Sequence, residues 1–262
     1  MIVPKVAATA RCLEAPLKQL PLAAVEVGVQ GIQFDTRREL KPAEFSKTGC
    51  RHFLHTLNEP GLSVASLVFP TRRSFYDLDA LDGRLEAVRA TMQFAAQLRT
   101  DVVVVRPGRI PEDSTSDEYD LLRNALNDLA RCGNRVGIVP TIMPVSDTPK
   151  ALGNLLSLID EGPVGISFDP AAWILSGQDP MEALRTLHGY VTHVQVRDAL
   201  GDIAGGGQEV PVGRGEVPWD NLLALLEEAG YRGWLTVDRT QGGDKRTDAA
   251  HAVEYLRNVA RG

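Results

Sequence analysis

Eight short runs rich in β-branched residues recur about every 25–43 residues: Val6-Ala10, Ile32-Asp35, Leu62-Phe69, Asp101-Arg106, Arg135-Thr141, Val164-Asp169, Val191-Arg197 and Trp234-Asp238. Segments of helical periodicity lie between them, for example Leu85, Val88, Met92, Ala95 and Ala96, or Leu121, Leu122, Ala125 and Leu129. Strict βα alternation restricts the chain to a parallel sheet covered by helices, either closed into a barrel or open and doubly wound. Boundary residues agree. Asp179-Pro180 sets a capping side chain before a proline at a first helical position, and Gly28-Val29-Gln30-Gly31, Gly61-Leu62 and Gly230-Tyr231-Arg232-Gly233 end helices and feed strands.

An open dinucleotide-binding sheet calls for GxGxxG directly after the first strand, where this chain reads Ala10-Arg11-Cys12-Leu13-Glu14. The barrel is therefore preferred. At 262 residues the chain suits one (β/α)8 domain spanning residues 1–262, with no linker or low-complexity tract. A 44% hydrophobic and 24% charged composition excludes disorder of the chain as a whole. The opening MIVPKVAATARCLE lacks a signal-peptide core and no run reaches membrane-spanning length, so a soluble, cytoplasmic protein is expected. Cys12, Cys50 and Cys132 are widely spaced and odd in number, which suits reduced thiols. A net charge of −6 disfavours general nucleic-acid binding.

In a barrel of this kind, chemistry gathers at the strand C-termini. Residues alternate between faces, so His193, Gln195 and Arg197 share one face, as do Gly165, Ser167 and Asp169, and Thr236 and Asp238. Gln33, Thr141, Asp169, Gln195 and Asp238 are accordingly expected on the inner face near one end. His193 lies deeper on its strand, while His52, His55, His188 and His251 fall in helical segments. Nine arginines sit at or just after strand ends: Arg37, Arg38, Arg72, Arg73, Arg106, Arg109, Arg197, Arg214 and Arg239. They either pair with nearby acids such as Asp35, Asp198 and Asp238, or converge as an anion site for a phosphorylated or carboxylated small molecule. Gly205-Gly206-Gly207 reads as a surface turn, with a lid beside the mouth as the alternative.

Five segments carry a resemblance: Gly31-Ile32-Gln33-Phe34-Asp35, Val104-Val105-Arg106-Pro107-Gly108, Phe168-Asp169-Pro170-Ala171-Ala172, His193-Val194-Gln195-Val196-Arg197-Asp198-Ala199, and Pro211-Val212-Gly213-Arg214-Gly215-Glu216-Val217-Pro218-Trp219. Over almost its whole length the chain resembles the xylose-isomerase-like TIM barrels, which include sugar and sugar-phosphate isomerases and epimerases, inosose dehydratases and type IV AP-endonucleases. The resemblance implies a divalent metal held by Glu, Asp, His and Glu from strands five to eight. Carried over residue by residue, the first Glu falls at Thr141, Asp169 is kept, the His is Gln195 and the last Glu is shortened to Asp238. Ala172 replaces an Asn or His, and Arg106 stands where His-Pro-Gly is frequent. Such an eroded donor set disfavours a divalent metal, with Asp169, Gln195 and Asp238 as the remaining weak candidate ligands. The absence of histidine at 106, 172 and 195 also speaks against an AP-endonuclease.

The resemblance therefore implies a sugar or sugar-phosphate isomerase or epimerase acting on a small, anionic carbohydrate. Asp169 and Asp238 would be its catalytic groups, with Gln33, Arg106, Gln195, Arg197, Arg214 and Arg239 binding a sugar, sugar phosphate or sugar acid. The alternative is a carbohydrate-binding barrel that has lost the reaction. Oligomer formation stays open.

Overall fold

The computed structural model describes residues 4–202 and 206–260. Eight parallel strands close a barrel: β1 Lys5–Thr9, β2 Gly31–Asp35, β3 Ser63–Phe69, β4 Val102–Val105, β5 Val139–Ile142, β6 Gly165–Phe168, β7 Val191–Val196 and β10 Trp234–Val237. The last of these pairs with β1 and with β7, which completes the ring. The expected strands and their order are met, with one boundary corrected. Residues 135 and 136 finish a helix, Gly137 caps it in the left-handed region at φ 72°, and β5 begins only at Val139. Valine and isoleucine on both sides of that glycine made helix end and strand start look continuous.

Helices surround the barrel: α1 Leu20–Val27, α2 Lys47–Asn58, α3 Leu81–Gln97, α4 Asp117–Val136, α5 Pro149–Ser157, α6 Pro170–Leu175, α7 Pro180–Leu187, α8 Trp219–Glu228 and α9 Lys245–Val259. Side-chain oxygens satisfy orphan N–H groups at several of their N-termini, including Asp179 on Met181 N at 2.7 Å and Asp169 on Ala172 N at 3.2 Å. Their buried leucines, alanines and valines pack on the outer faces of the strands in one continuous core. Among the described residues no helix is long and apolar enough to cross a membrane.

The barrel interior is polar at mid-height. Register shifts in two strand pairs bring Gln33 opposite Ser66 and Ser167 opposite His193, so an irregularity in the ladder aims each pair inward. Gln33 Nε2 donates to Ser66 Oγ at 2.8 Å and lies 3.2 Å from His193 Nε2. An amide nitrogen only donates, so His193 Nε2 accepts, and the ring proton sits on Nδ1, 2.9 Å from Ser167 Oγ. Thr236 Oγ1 completes the cluster, 2.9 Å from Nε2. Burial pulls the His193 pKa down to about 4, so the imidazole is neutral.

Besides the doubled helix, α6 then α7, that follows β6, a hairpin departs from the βα repeat. Strands β8 Asp198–Gly201 and β9 Gly207–Val210 form an antiparallel hairpin after β7 and pack against α6. Gly205 lies outside the described residues. Gly207 takes part in the hairpin pairing, where a Cβ would come 2.1 Å from Leu200 O; this glycine answers a packing need. The glycines of Gly213-Arg214-Gly215 do the same. A Cβ on Gly213 would meet the Tyr255 ring at 2.8 Å, and one on Gly215 would meet Asp198 Oδ1 at 2.1 Å.

Asp198 organises this loop. Its buried carboxylate accepts from Ala199 N, Gly213 N, Val217 N and the Trp219 indole at 2.9–3.3 Å. Asp198→Ala leaves these donors without an acceptor, and a loss on the order of 3 kcal/mol is expected in a urea unfolding curve. A change below about 0.5 kcal/mol would mean that water replaces the carboxylate.

Candidate functional site

A cavity of about 350 Å³ occupies the C-terminal mouth of the barrel, directly above the His193 cluster. Each wall residue follows from strand parity and position. Thr9 ends β1, Gln33 lies on β2, Arg106 directly follows β4, Gln195 lies on β7, and Asp169 and Asp238 directly follow β6 and β10. Arg11, from the 3-10 turn after β1, and Arg197, after β7, also face the cavity. Of the expected site residues, the mouth thus brings together Gln33, Arg106, Asp169, Gln195, Arg197 and Asp238.

Three expected residues lie elsewhere. On β5 the cavity wall is Met143, just past the strand end. Thr141, two residues earlier, is fully buried and bonded to Thr192 Oγ1 at 2.8 Å. Arg214 is exposed on its loop and does not line the cavity. Arg239 is buried behind the wall, where it donates to Glu209 Oε1 at 2.8 Å and to Asp248 Oδ2 at 2.9 Å. Of the nine strand-end arginines only Arg38, Arg106 and Arg197 reach the cavity; Arg73 and Arg109 pair with nearby acids, and Arg37 lies over the Phe69 ring.

The electrostatics of the mouth are set by guanidinium groups. Arg197 donates to Asp169 Oδ2 at 2.6 Å and, from its other edge, to Glu209 Oε2 at 3.1 and 2.5 Å. With Arg239 and Asp248 this makes an alternating row of five charges running from the cavity through the hairpin to α9. Arg11 plays the matching part on the other side: its Nε donates to Asp238 Oδ1 at 2.7 Å and its Nη2 to Oδ2, while Thr9 Oγ1 lies 2.9 Å from Oδ1.

The carboxyls respond differently. Burial raises Asp169 above the ordinary carboxylate range, against the pull of Arg197. For Asp238 burial also works upward, but the hydrogen bond and charge of Arg11, with Arg197 and Thr9, hold it below that range. Burial likewise works upward on Glu209, where hydrogen bonds from Thr240 and Arg197 prevail and bring it to about 2.

Several groups at the mouth lack ordinary partners among the described residues, the exposed Arg38 guanidinium among them. The Gln195 amide oxygen is buried without a hydrogen bond, and among the described residues Arg106 makes no ion pair, its Nη2 lying 3.5 Å from Met143 Sδ. The donor set of strands five to eight is therefore a thioether, two carboxylates already bound to guanidinium, and an amide. A hard divalent cation wants several free anionic oxygens or imidazoles, and these residues do not fit one. Among the described residues no group of three or more His, Cys, Asp and Glu side chains is placed to hold a metal ion.

Sequence reasoning missed Arg11, Met143 and Glu209. Arg11 had a visible signal, since it follows a strand end as Arg106 and Arg197 do. Glu209 had none, because its hairpin was not foreseen.

The family described as xylose isomerase-like TIM barrel matches residues 21–259 of this chain. An uncharacterised protein of Methanocaldococcus jannaschii is 26% identical over 187 residues, covering 67% of this chain and 63% of its own length. An inosose dehydratase of Clostridium botulinum is 26% identical over 166 residues, covering 55% of each. The chain thus spans less than two thirds of the length of these curated relatives. Among solved structures, a xylose isomerase domain protein from Planctomyces limnophilus superposes with a TM-score of 0.85 at 22% identity, over 99% of this chain and 98% of that one. Closed barrel, strand order and a family match over nearly the whole chain lead to one conclusion: the protein belongs to the xylose isomerase-like TIM barrel family.

Proposed function

We propose that the protein isomerises or epimerises a small, anionic carbohydrate by proton transfer at the barrel mouth, with guanidinium groups in place of a divalent cation. The observation that carries this reading is the pairing of Arg197 with Asp169 and of Arg11 with Asp238 around one cavity. A cavity of about 350 Å³ suits a sugar-sized ligand. Resemblance to inosose dehydratases supports a polyhydroxylated, carbonyl-bearing substrate class.

Two carboxylates held by guanidinium groups over one cavity can divide the work between a base and an orienting anion. Asp238, held low, is ionised through the neutral range and takes a proton from carbon next to a carbonyl. Asp238 then returns that proton to carbon, while Asp169, an anion paired with Arg197, fixes that guanidinium at the same cavity. Negative charge developing on the carbonyl oxygen meets a fixed positive group in Arg197, which Asp169 and Glu209 hold in place and which needs no reorganisation at the moment of reaction. Arg11 and Thr9 orient the Asp238 carboxylate.

A second reading, a binding barrel without catalysis, is favoured by one observation: both Asp238 oxygens already accept hydrogen bonds. Solvent exchange separates the two. A panel of sugars, sugar acids and sugar phosphates is incubated with the protein in deuterium oxide and followed by NMR. Loss of a carbon-bound proton next to the carbonyl is expected for a substrate, slowed in Asp238→Asn by on the order of 10²–10⁴-fold. Binding without exchange supports the second reading, and neither binding nor exchange overturns both.

Gln195 supplies a second test. An unpartnered buried acceptor costs about 1–3 kcal/mol, so its retention suits a ligand that donates to it. Gln195→Leu is expected to raise the melting temperature, by roughly 2–4 °C for each kcal/mol recovered, while carbohydrate affinity falls. A lower melting temperature would assign Gln195 a structural part instead.

A further inference from the structure

Proton transfer leaves one part of the mouth without a purpose. Past Arg106 the cavity opens into a side pocket of about 90 Å³, lined among others by Met143, Pro144, Ser146, Ala172 and Trp173. Arg106 borders both spaces. Its guanidinium forms no ion pair among the described residues, unlike those of Arg11 and Arg197.

The backbone that carries Arg106 is fixed. Thr71 Oγ1 donates to Arg106 O, and Pro107 O accepts from Phe75 N at 2.7 Å. Gly108 follows at φ +103°, packed so closely on Ser74 that a Cβ would lie 2.5 Å from that side chain. The backbone that bears the exposed Arg106 side chain is therefore fixed where the two spaces meet. Independently, Gln195 belongs to the wall of the main cavity, is only 3% exposed and keeps a buried amide oxygen without a partner.

We infer that the side pocket receives the carboxylate of a sugar acid, paired with Arg106, while a hydroxyl on the same molecule donates to Gln195. This rests on the carbohydrate reading above and narrows its substrate class. Carboxylate is chosen over phosphate on charge and on donors. A phosphate monoester carries about −1.5 to −2 near neutral pH, more than one unpaired guanidinium cancels, and it would face the Asp169 carboxyl across the same pocket. Three phosphate oxygens also need many donors, and here the Ser176 hydroxyl is already committed to Trp173 O at 2.9 Å. What remains is the Ser146 hydroxyl and the Arg106 fork, since Arg197 on the same wall is taken up by Asp169 and Glu209. A planar carboxylate matches that fork through two parallel hydrogen bonds.

Glycerate, glycerol 3-phosphate and glycerol share a three-carbon skeleton and differ in the group offered to Arg106. Their affinities are measured by calorimetry, with the arginine Nε–H resonances followed by NMR. Glycerate is expected to bind roughly tenfold or more tightly than either of the others and to shift the Arg106 signal, as a charge-assisted bidentate pair requires. Arg106→Met removes that preference; Arg106→Lys, which keeps charge without the fork, retains part of it. Tighter binding of glycerol 3-phosphate, an unchanged preference in Arg106→Met, or no binding of any of the three overturns the inference. The two readings fail separately. Glycerate bound at Arg106 with no deuterium exchange into any sugar leaves the carboxylate pocket standing and removes the isomerase, whereas exchange into neutral sugars without a carboxylate preference does the reverse.

Discussion

The arrangement of the mouth depends on Arg197 being held between two carboxylates. A guanidinium presents donors on more than one edge, and here one edge serves Asp169 while another serves Glu209. Removing either acid would leave a half-buried cation short of a partner, and removing the arginine would leave two buried anions facing each other. The hairpin is thereby tied to the end of β6, and through Arg239 and Asp248 to α9. Main-chain pairing alone would leave that hairpin attached only at its base. The charge row makes it part of the site.

Below this layer the barrel is closed by a neutral polar cluster. His193, Gln33, Ser66, Ser167 and Thr236 satisfy one another, and the buried imidazole carries no charge at neutral pH. The charged groups above therefore act on the cavity without a competing cation underneath. Two ladder irregularities deliver this cluster, so geometry that looks like a local defect in pairing sets the chemistry of the floor.

Much of this was legible in the sequence, for reasons particular to certain residues. Parity along a strand placed Gln33, Gln195, Asp169 and Asp238 on inner faces, because successive side chains alternate. The same rule misled at β5. Thr141 and Met143 share a face, and a period of two says nothing about how far along the strand the packed interior ends and the cavity begins. Arg239 carried the same signal as Arg197, a cation just past a strand, yet Arg197 faces the cavity and Arg239 lies behind the wall. What separates them is Glu209, which accepts from both and lies in a hairpin that interrupts the repeat. Pairing between distant charged side chains leaves no periodic trace, and local propensity cannot report it. The glycines around Arg214 were conspicuous for a packing reason, since Tyr255 and Asp198 leave no room for a Cβ.

The two aspartate–arginine pairs have a consequence for how such a barrel changes over generations. Each aspartate is balanced by a guanidinium, so a variant that loses one partner first passes through a state with a stranded charge and reduced stability. On the guanidinium reading proposed above, a barrel built on these pairs would not easily gain a metal site one residue at a time. Such a change would require Arg11 and Arg197 to leave together with the gain of ligands at 143 and 195. Exposed positions such as Arg214, whose side chain meets no carboxylate among the described residues, are free of that coupling and can vary singly. Sequence change in this chain should thus be tightly correlated around the mouth and independent on the loops a short distance away.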